Sequence, residues 1–269
     1  MCLIVFAWQV KPELPLVVAA NRDEFHRRPT APSRFWPDQP DLLAGRDLEA
    51  GGTWMGVTRQ GRFAAITNYR DPALPLPAKR SRGELPVAFL TGSATPAEFL
   101  QELAGKAGDY AGFNLLVGAG GDLWYFSNNT RERQPRALVP GIYGLSNARL
   151  DYPWPKLTLA KSRLAPLLDP LSLTHHRLRQ AVSDRRLAAP EALHPLGLGT
   201  AMDQKLSAQF IVTEDYGTRA TTTYWLQQEP GAKDLAGSWE EISFDPSGGE
   251  VGRQMATFSY AAAPQGSGA

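Results

Sequence analysis

The chain has 269 residues, of which 43% are hydrophobic and 20% are charged. This composition excludes a disordered protein and is enough for two small domains or one large one. Its 28 basic and 27 acidic residues leave a formal net charge of +1, so no broad positive field favours nucleic acid or an anionic membrane.

Cysteine content and apolar run lengths indicate where such a protein works. The single cysteine, Cys2, cannot form an intramolecular disulfide, so a reducing compartment, the cytoplasm, is predicted. No apolar run approaches the roughly 20 residues that cross a bilayer, so no integral membrane segment is expected.

Two hairpins are predicted in the first quarter of the chain, and both end in polar residues. Residues 3–10 and 14–20 are nearly continuous apolar runs, which suits a hairpin buried on both faces. The second run ends in Asn21-Arg22-Asp23-Glu24. Residues 53–58 and 62–68 predict another hairpin, which ends at Asn68.

Helices and further strands are predicted after a proline-rich loop. Helical spacing is found at residues 84–90 and 95–104, where Thr95, Pro96 and Glu98 form a capping-box pattern. Further elements are predicted in chain order as a hairpin at 113–118 and 123–127, a strand at 142–146 before Asn147, and helices at 153–168 and 172–187.

The last predicted elements define one domain and a tail. Residues 208–213 and 219–227 predict a hairpin, and residues 240–244 an edge strand. From residue 246 onward Gly, Ser, Ala and Pro predominate, so residues 246–269 are predicted to be a flexible tail and residues 1–245 a single domain. Hairpins separated by helix pairs predict an α+β fold of antiparallel sheets with segregated helices.

Cys2 is the strongest candidate for chemistry. Removal of Met1 would leave a thiol and a free α-amine on one residue. The amine has a reference pKa of roughly 8 and can accept the thiol proton, so no histidine is needed to activate the nucleophile. The alternative is that Cys2 is a small buried apolar residue with no chemical role.

The polar quartet at residues 21–24 is the second candidate. Because alternate residues of a strand share a face, Asn21 and Asp23 are predicted to point one way and Arg22 and Glu24 the other. One pair would then reach the thiol, and the other would support the structure. A solvated strand end with a weak surface ion pair is the alternative.

Ordered motifs along the chain resemble the NRDE protein family, also called the transport and Golgi organisation family. The resemblance runs from Cys2 to about Arg219. Its motifs are Met1-Cys2, Ala20-Asn21-Arg22-Asp23-Glu24-Phe25, Gly45-Arg46-Asp47 with Gly51-Gly52-Thr53-Trp54, Ile66-Thr67-Asn68-Tyr69-Arg70, Gly112-Phe113-Asn114-Leu115-Leu116, Gly144-Leu145-Ser146-Asn147 with Pro153-Trp154-Pro155-Lys156, and Tyr216-Gly217-Thr218-Arg219.

The resemblance implies a fold and a reaction. The family is similar to the N-terminal nucleophile hydrolases, whose four-layer αββα sandwich of two mostly antiparallel sheets presents the first residue in a cleft. The implied reaction is hydrolysis of an amide or thioester in a small acylated substrate. Cys2 would be the nucleophile, Asp23 would hold its α-amine, and Asn68 and Asn147 would donate to the oxyanion.

The implied substrate ligands are Arg22, Arg46, Arg219 and Asn21. In the related acylases an arginine precedes the aspartate by three positions, where this chain has Ala20. On a regular strand Arg22 would face away from the site. Either a bulge re-aims it, or Arg46 or Arg219 replaces it, or the thiol is activated differently.

A second function class is binding without turnover. The resemblance also implies a role in haem trafficking or in acyl-lipid homeostasis, with the cleft as a carrier pocket for a haem-like or acyl ligand. No resident cofactor is expected. The histidines lack zinc-site spacing, so no metal site is expected either; they are His26, His175, His176 and His194.

Overall fold

The computed structural model describes residues 2–69, 79–129, 134–193, 200–228, 231–232 and 234–261. These residues form two sheets in which every pairing of neighbouring strands is antiparallel. The first sheet contains, in spatial order, β10 (Gly141–Leu145), β1 (Cys2–Lys11), β2 (Leu14–Phe25), β11 (Tyr216–Gln228), β12 (Asp234–Phe244) and β13 (Glu250–Ala261).

The second sheet has seven strands, and five helices accompany the two sheets among the described residues. In spatial order its strands are β3 (Thr30–Trp36), β4 (Gln39–Asp47), β5 (Met55–Thr58), β6 (Phe63–Asn68), β7 (Phe113–Ala119), β8 (Asp122–Ser127) and β9 (Arg136–Ala137). The helices are α1 (Glu84–Thr91), α2 (Pro96–Lys106), α3 (Pro155–Leu164), α4 (His175–Gln180) and α5 (Thr200–Lys205).

Side-chain alternation along β1 shows how the layers are held together. Ile4 and Phe6 point into the core between the two sheets, whereas Leu3 and Val5 point into a second core beside α3 and α4. Because both faces of β1 are covered, its sequence is a continuous apolar run rather than an alternating one. Helices α1 and α2 pack against the second sheet. The predicted four-layer α+β sandwich is confirmed.

Several local predictions are confirmed and two are wrong. The capping box at Thr95 and Glu98 is present at the start of α2. The predicted strand at 208–213 is instead a loop that makes one isolated bridge, between Val212 and Gly217. The predicted helix at 172–187 is reduced to α4, because the Asp184 carbonyl accepts hydrogen bonds from the 209–210 backbone.

The predicted flexible tail at 246–269 is wrong for most of its length. Residues 250–261 form β13, the outermost strand of the first sheet, so the domain extends beyond residue 245 and β12 is an interior strand. Phe258 supplies the packing, since its ring lies against Gly237 of β12. Residues 262–269 lie outside the described part of the chain. Among the described residues, no helix is both long and apolar enough to cross a bilayer.

Candidate active site

A cavity of about 500 Å³ opens between the two sheets at the end of β2. Its wall includes Cys2, Arg22 and Asp23 from the first sheet and Asn68 from β6. The cavity thus brings together the start of the chain, the polar end of β2 and the end of the second predicted hairpin.

Cys2 is partly exposed and lies directly opposite Arg22 on the neighbouring strand. Directly opposed residues of an antiparallel pair share a face, with Cβ atoms roughly 5 Å apart. The expectation that Arg22 faces away from the site is therefore wrong, and no bulge in β2 is needed. The bulge lies in the neighbouring strand β11, between Thr218 and Ala220.

Asp23 is buried beside the thiol. Its Oδ1 accepts a hydrogen bond of 2.7 Å from Oγ1 of Thr218 on β11. Burial raises the pKa of Asp23 to about 6, although the buried ammonium of Lys156 acts in the opposite direction. This carboxyl consequently changes charge close to neutral pH, and it ionises more readily when a cation is near it.

The thiol itself is in a poor environment for ionisation. Burial raises the pKa of Cys2, and the neighbouring Asp23 carboxylate adds to the increase, whereas Arg22 opposes it. A thiol of this kind is mostly protonated at neutral pH, so its reactivity requires a base.

Ser146 and Asn147 connect β1 to the second sheet. Ser146 Oγ donates to the Cys2 carbonyl at 2.7 Å, and Asn147 Nδ2 donates to the Asn68 carbonyl at 2.8 Å. Asn147 is buried and is not part of the cavity wall, so its role as an oxyanion donor stays a prediction. It positions Asn68, whose own exposed side chain reaches the cavity.

Asn21 is buried and is not part of the cavity wall, so the structure does not bring it together with the other predicted site residues. Its Nδ2 donates to the carbonyls of Val182 and Gln209 at 2.7 and 2.8 Å, and its Oδ1 accepts from Thr221 at 2.7 Å. Strand alternation turns Asn21 toward the outer layer, where it holds loops against the sheet.

The three arginines predicted to bind substrate all line the cavity, but they differ in availability. Arg46 forms a bidentate ion pair with Asp38 at 2.8 and 3.0 Å. Arg219 donates through Nη1 to the carbonyl of Phe25, the last residue of β2, at 2.9 Å and to two carbonyls that follow it. Arg22 is 7% exposed, and its buried Nη1 has no hydrogen-bond partner.

The family model described as Transport and Golgi organisation 2 matches residues 1–233. The chain belongs to the Transport and Golgi organisation 2 family. The family resemblance predicted from the sequence is thereby confirmed. The match ends before β12, so the hairpin of β12 and β13 lies beyond it.

Relatives within the Transport and Golgi organisation 2 family support the assignment. The Transport and Golgi organization protein 2 homolog of Bos taurus is 35% identical over 241 residues, which is 82% of this chain and 87% of the relative. The Homo sapiens homolog is 35% identical over 250 residues, with the same shares. Transport and Golgi organization protein 2 of Drosophila melanogaster is 28% identical over 128 residues, or 43% of this chain and 45% of the relative.

Two solved structures are similar at low identity. An N-acylethanolamine-hydrolyzing acid amidase ortholog of Caenorhabditis elegans has a TM-score of 0.38 and 10% identity, and covers 68% of this chain and 86% of its own. A mutant conjugated bile acid hydrolase from Clostridium perfringens has a TM-score of 0.40 and 11% identity, and covers 97% of both chains.

Four residues of this family member line the cavity or interact with residues that do, but were not assigned a role from sequence. Ser146 and Lys156 lie in quoted family motifs, which was the available signal. Arg82 and Glu241 line the cavity without any local sequence signal, because Arg82 precedes α1 and Glu241 lies on β12. The side chain of Glu241 is held by the Ser33 backbone N–H, which donates to it at 2.7 Å.

The arrangement of potential metal ligands is a separate question. Within the described ranges, no group of three or more His, Cys, Asp or Glu side chains is arranged to hold a metal ion. His194, one of the four histidines considered above, lies outside the described residues.

Asp23→Asn is expected to flatten the pH dependence of stability. Because the carboxyl has a pKa of about 6 when folded and 3.8 ordinarily, the native state binds more protons than the unfolded state between these values. The wild-type free energy of unfolding should therefore fall as pH rises through this window, by up to about 3 kcal/mol. Urea denaturation of both proteins across the window measures the difference. Equal slopes for the two proteins would contradict this expectation.

Proposed function

We propose that the protein is a cysteine hydrolase that cleaves the amide bond, or a thioester, of a small acylated molecule. The observation that carries the proposal is the position of Cys2, whose strand opens into a cavity directly opposite Arg22 and beside Asp23. The proposal requires that Met1 is removed, so that the α-amine belongs to Cys2 itself.

The α-amine is the base that the thiol needs. It takes the proton from Sγ, directly or through water, and the thiolate then attacks the carbonyl carbon of the substrate. The carbon–nitrogen bond breaks while the ammonium returns a proton to the departing amine. Water, deprotonated by the same α-amine, then hydrolyses the acyl thioester and releases the acid. The buried Asp23 carboxylate stabilises the ammonium between these transfers.

Asn68 is the candidate donor to the oxyanion. Its side chain reaches the cavity, and the strand end that carries it is held by the hydrogen bond from Asn147 to the Asn68 carbonyl. A preorganised donor is worth roughly 3 to 4 kcal/mol of transition-state stabilisation.

Mass spectrometry of the purified protein tests the proposal. We expect an intact mass without Met1, and one added acyl group after reaction with a β-lactone, an acyl electrophile. Cys2→Ala should take up no label, which is a clean control because Cys2 is the only cysteine. Retention of Met1 on the whole sample, or equal labelling of Cys2→Ala, would overturn the proposal.

Asn68→Ala is expected to lower kcat for the hydrolysed amide by about 10²- to 10³-fold, with little change in KM, because an oxyanion donor acts mainly in the transition state. Steady-state kinetics measure both constants. Gln60→Ala is a matched control, since Gln60 is an exposed amide that contacts Asp41 and does not line this cavity. An unchanged kcat in Asn68→Ala would remove Asn68 from the mechanism.

Carriage of a ligand without turnover is the second candidate function. It is favoured by the arginines of the cavity wall, which suit the carboxylates of haem or an anionic acyl compound. A titration with haem, followed by absorbance, separates the two functions. A spectral shift that is lost in Cys2→Ala, in a protein that the β-lactone does not label, would favour carriage.

A further inference from the structure

The floor of the cavity is a single row of residues that crosses five strands of the first sheet. Cys2 lies opposite Arg22, Arg22 opposite Ala220, Ala220 opposite Ser243, and Ser243 opposite Gly252. All five residues line the cavity. Because neighbouring strands are roughly 4.8 Å apart, the row is about 19 Å long.

Beyond Arg22 the row carries only small side chains, which leaves a groove above the sheet. The space is open at its far end, since a Cβ atom built on Gly252 would meet only the Cβ of Ser243, at 3.9 Å. The groove therefore leads away from the thiol and accommodates an extended chain.

Arg22 is a second and independent indication of a ligand. Its side chain is buried at the cavity wall and makes no hydrogen bond or ion pair with any described residue, and one terminal nitrogen is buried without a partner. An unpaired buried guanidinium is unfavourable until an anion binds it. The carboxylates of Asp23 and Glu241 interact electrostatically with Arg22 but form no ion pair or hydrogen bond with it; that of Glu241 accepts a hydrogen bond from the Ser33 backbone N–H at 2.7 Å.

We infer that the substrate is an elongated acylated amide with an anionic group, a carboxylate or a phosphate, next to the scissile bond. Arg22 binds the anionic group, and the acyl chain lies over Ala220, Ser243 and Gly252. This inference rests on the proposed hydrolysis and names its substrate class. Water adds across the amide, so that the products are the free acid and the anionic amine.

The far end of the groove comes from β12 and β13, which supply Ser243 and Gly252. The family match ends at residue 233, before either strand. Gly252 is thus a specificity-determining residue that the family match does not include.

Gly252→Phe tests the groove. We expect the wild type to prefer dodecanoyl-glycine over butyryl-glycine, and Gly252→Phe to lose at least about tenfold in kcat/KM for the long substrate while the short one changes less than about twofold. Met255→Phe is the matched control, since Met255 is exposed on the opposite face of the same strand and should leave both values unchanged. An equal effect of Gly252→Phe on both substrates, or no effect on either, would overturn the inference.

The anionic group is tested by the amine moiety of the substrate. Dodecanoyl-glycine and dodecanoyl-phosphoethanolamine, a carboxylate and a phosphate, are compared with neutral dodecanoyl-ethanolamine. At least one anionic substrate should exceed the neutral one by about tenfold or more in kcat/KM, and Arg22→Gln should abolish that ratio. Arg22→Lys, which keeps the charge, should lower it by about threefold. Preference for the neutral amide, or an unchanged ratio in both variants, would overturn the assignment.

Binding separates failure of this inference from failure of the proposed hydrolysis. Calorimetry with Cys2→Ala and dodecanoyl-glycine measures the groove without turnover, and the double variant with Gly252→Phe should bind at least about tenfold more weakly. Binding in the absence of hydrolysis by the wild type would refute the hydrolase and retain the groove. Hydrolysis by the wild type with no effect of Gly252→Phe would refute the groove and retain the hydrolase.

Discussion

Cys2→Ala is expected to reduce amide hydrolysis by at least about 10⁴-fold, because it removes the only atom proposed to form the acyl intermediate. The side chain lies at the start of β1 and is partly exposed, so its loss should change the melting temperature by only a few degrees. Steady-state kinetics at substrate saturation measure the loss, and circular dichroism confirms that the sheets remain.

Cys2→Ser is the companion variant. It keeps the α-amine and replaces the thiol with a weaker nucleophile, so it should retain activity between those of the wild type and Cys2→Ala. Wild-type rates in Cys2→Ala would show that hydrolysis occurs elsewhere on the protein. Equal and complete loss in both variants would be consistent with a thiolate-specific reaction.

Trp239→Ala is expected to lower the free energy of unfolding by about 3 to 5 kcal/mol, the range typical of a large aromatic residue removed from a core. Trp239 is 1% exposed in the core between the sheets, near Tyr224. Its Nε1 donates to Ser33 Oγ at 3.0 Å, a hydrogen bond that joins β12 to β3. The variant therefore loses both apolar contacts and a connection between the sheets.

Urea denaturation measures this loss of stability. Two further variants separate the contribution of the hydrogen bond from that of the apolar contacts. Ser33→Ala leaves the ring in place and removes its hydrogen-bond partner, which should cost about 1 kcal/mol. Trp239→Phe keeps most of the apolar area and should fall between the two. A loss below about 1 kcal/mol in Trp239→Ala would show that the contact between the sheets at β12 contributes little to stability.

Local sequence patterns were sufficient to predict an element where the residues that stabilise it are its neighbours in the sequence. The β1–β2 hairpin is closed by neighbouring residues, and α2 is capped by its own Thr95 and Glu98. Both were predictable because alternation, turn residues and caps act within a few positions. The separation of Asn21 from Arg22 onto opposite faces was predictable for the same reason.

Which of those faces opens into the cavity could not be predicted from β2 alone. Alternation fixes the side chains relative to one another, but the direction depends on the register with β1 and on the loops that cover the outer face. Those loops include Val182 and Gln209, each more than 150 residues away from Asn21 along the chain. The positions of the Asn21 and Arg22 side chains therefore depend on contacts that are distant in sequence.

Composition also led to a wrong prediction for residues 250–261, which form a strand and not a flexible tail. The segment has few large apolar residues, but its strand pairs along its whole length with β12, and Phe258 packs against Gly237. The segment is ordered by its pairing with β12 and not by an apolar pattern of its own. Its composition alone therefore predicted a tail.

The row from Cys2 to Gly252 has a consequence for biosynthesis. A chain still attached to the ribosome, with only residues 2–228 emerged, already contains the thiol, Arg22 and Asn68, but neither Ser243 nor Gly252. The sulfur of Cys2 is therefore translated well before Ser243 and Gly252, the residues that complete the far end of the row.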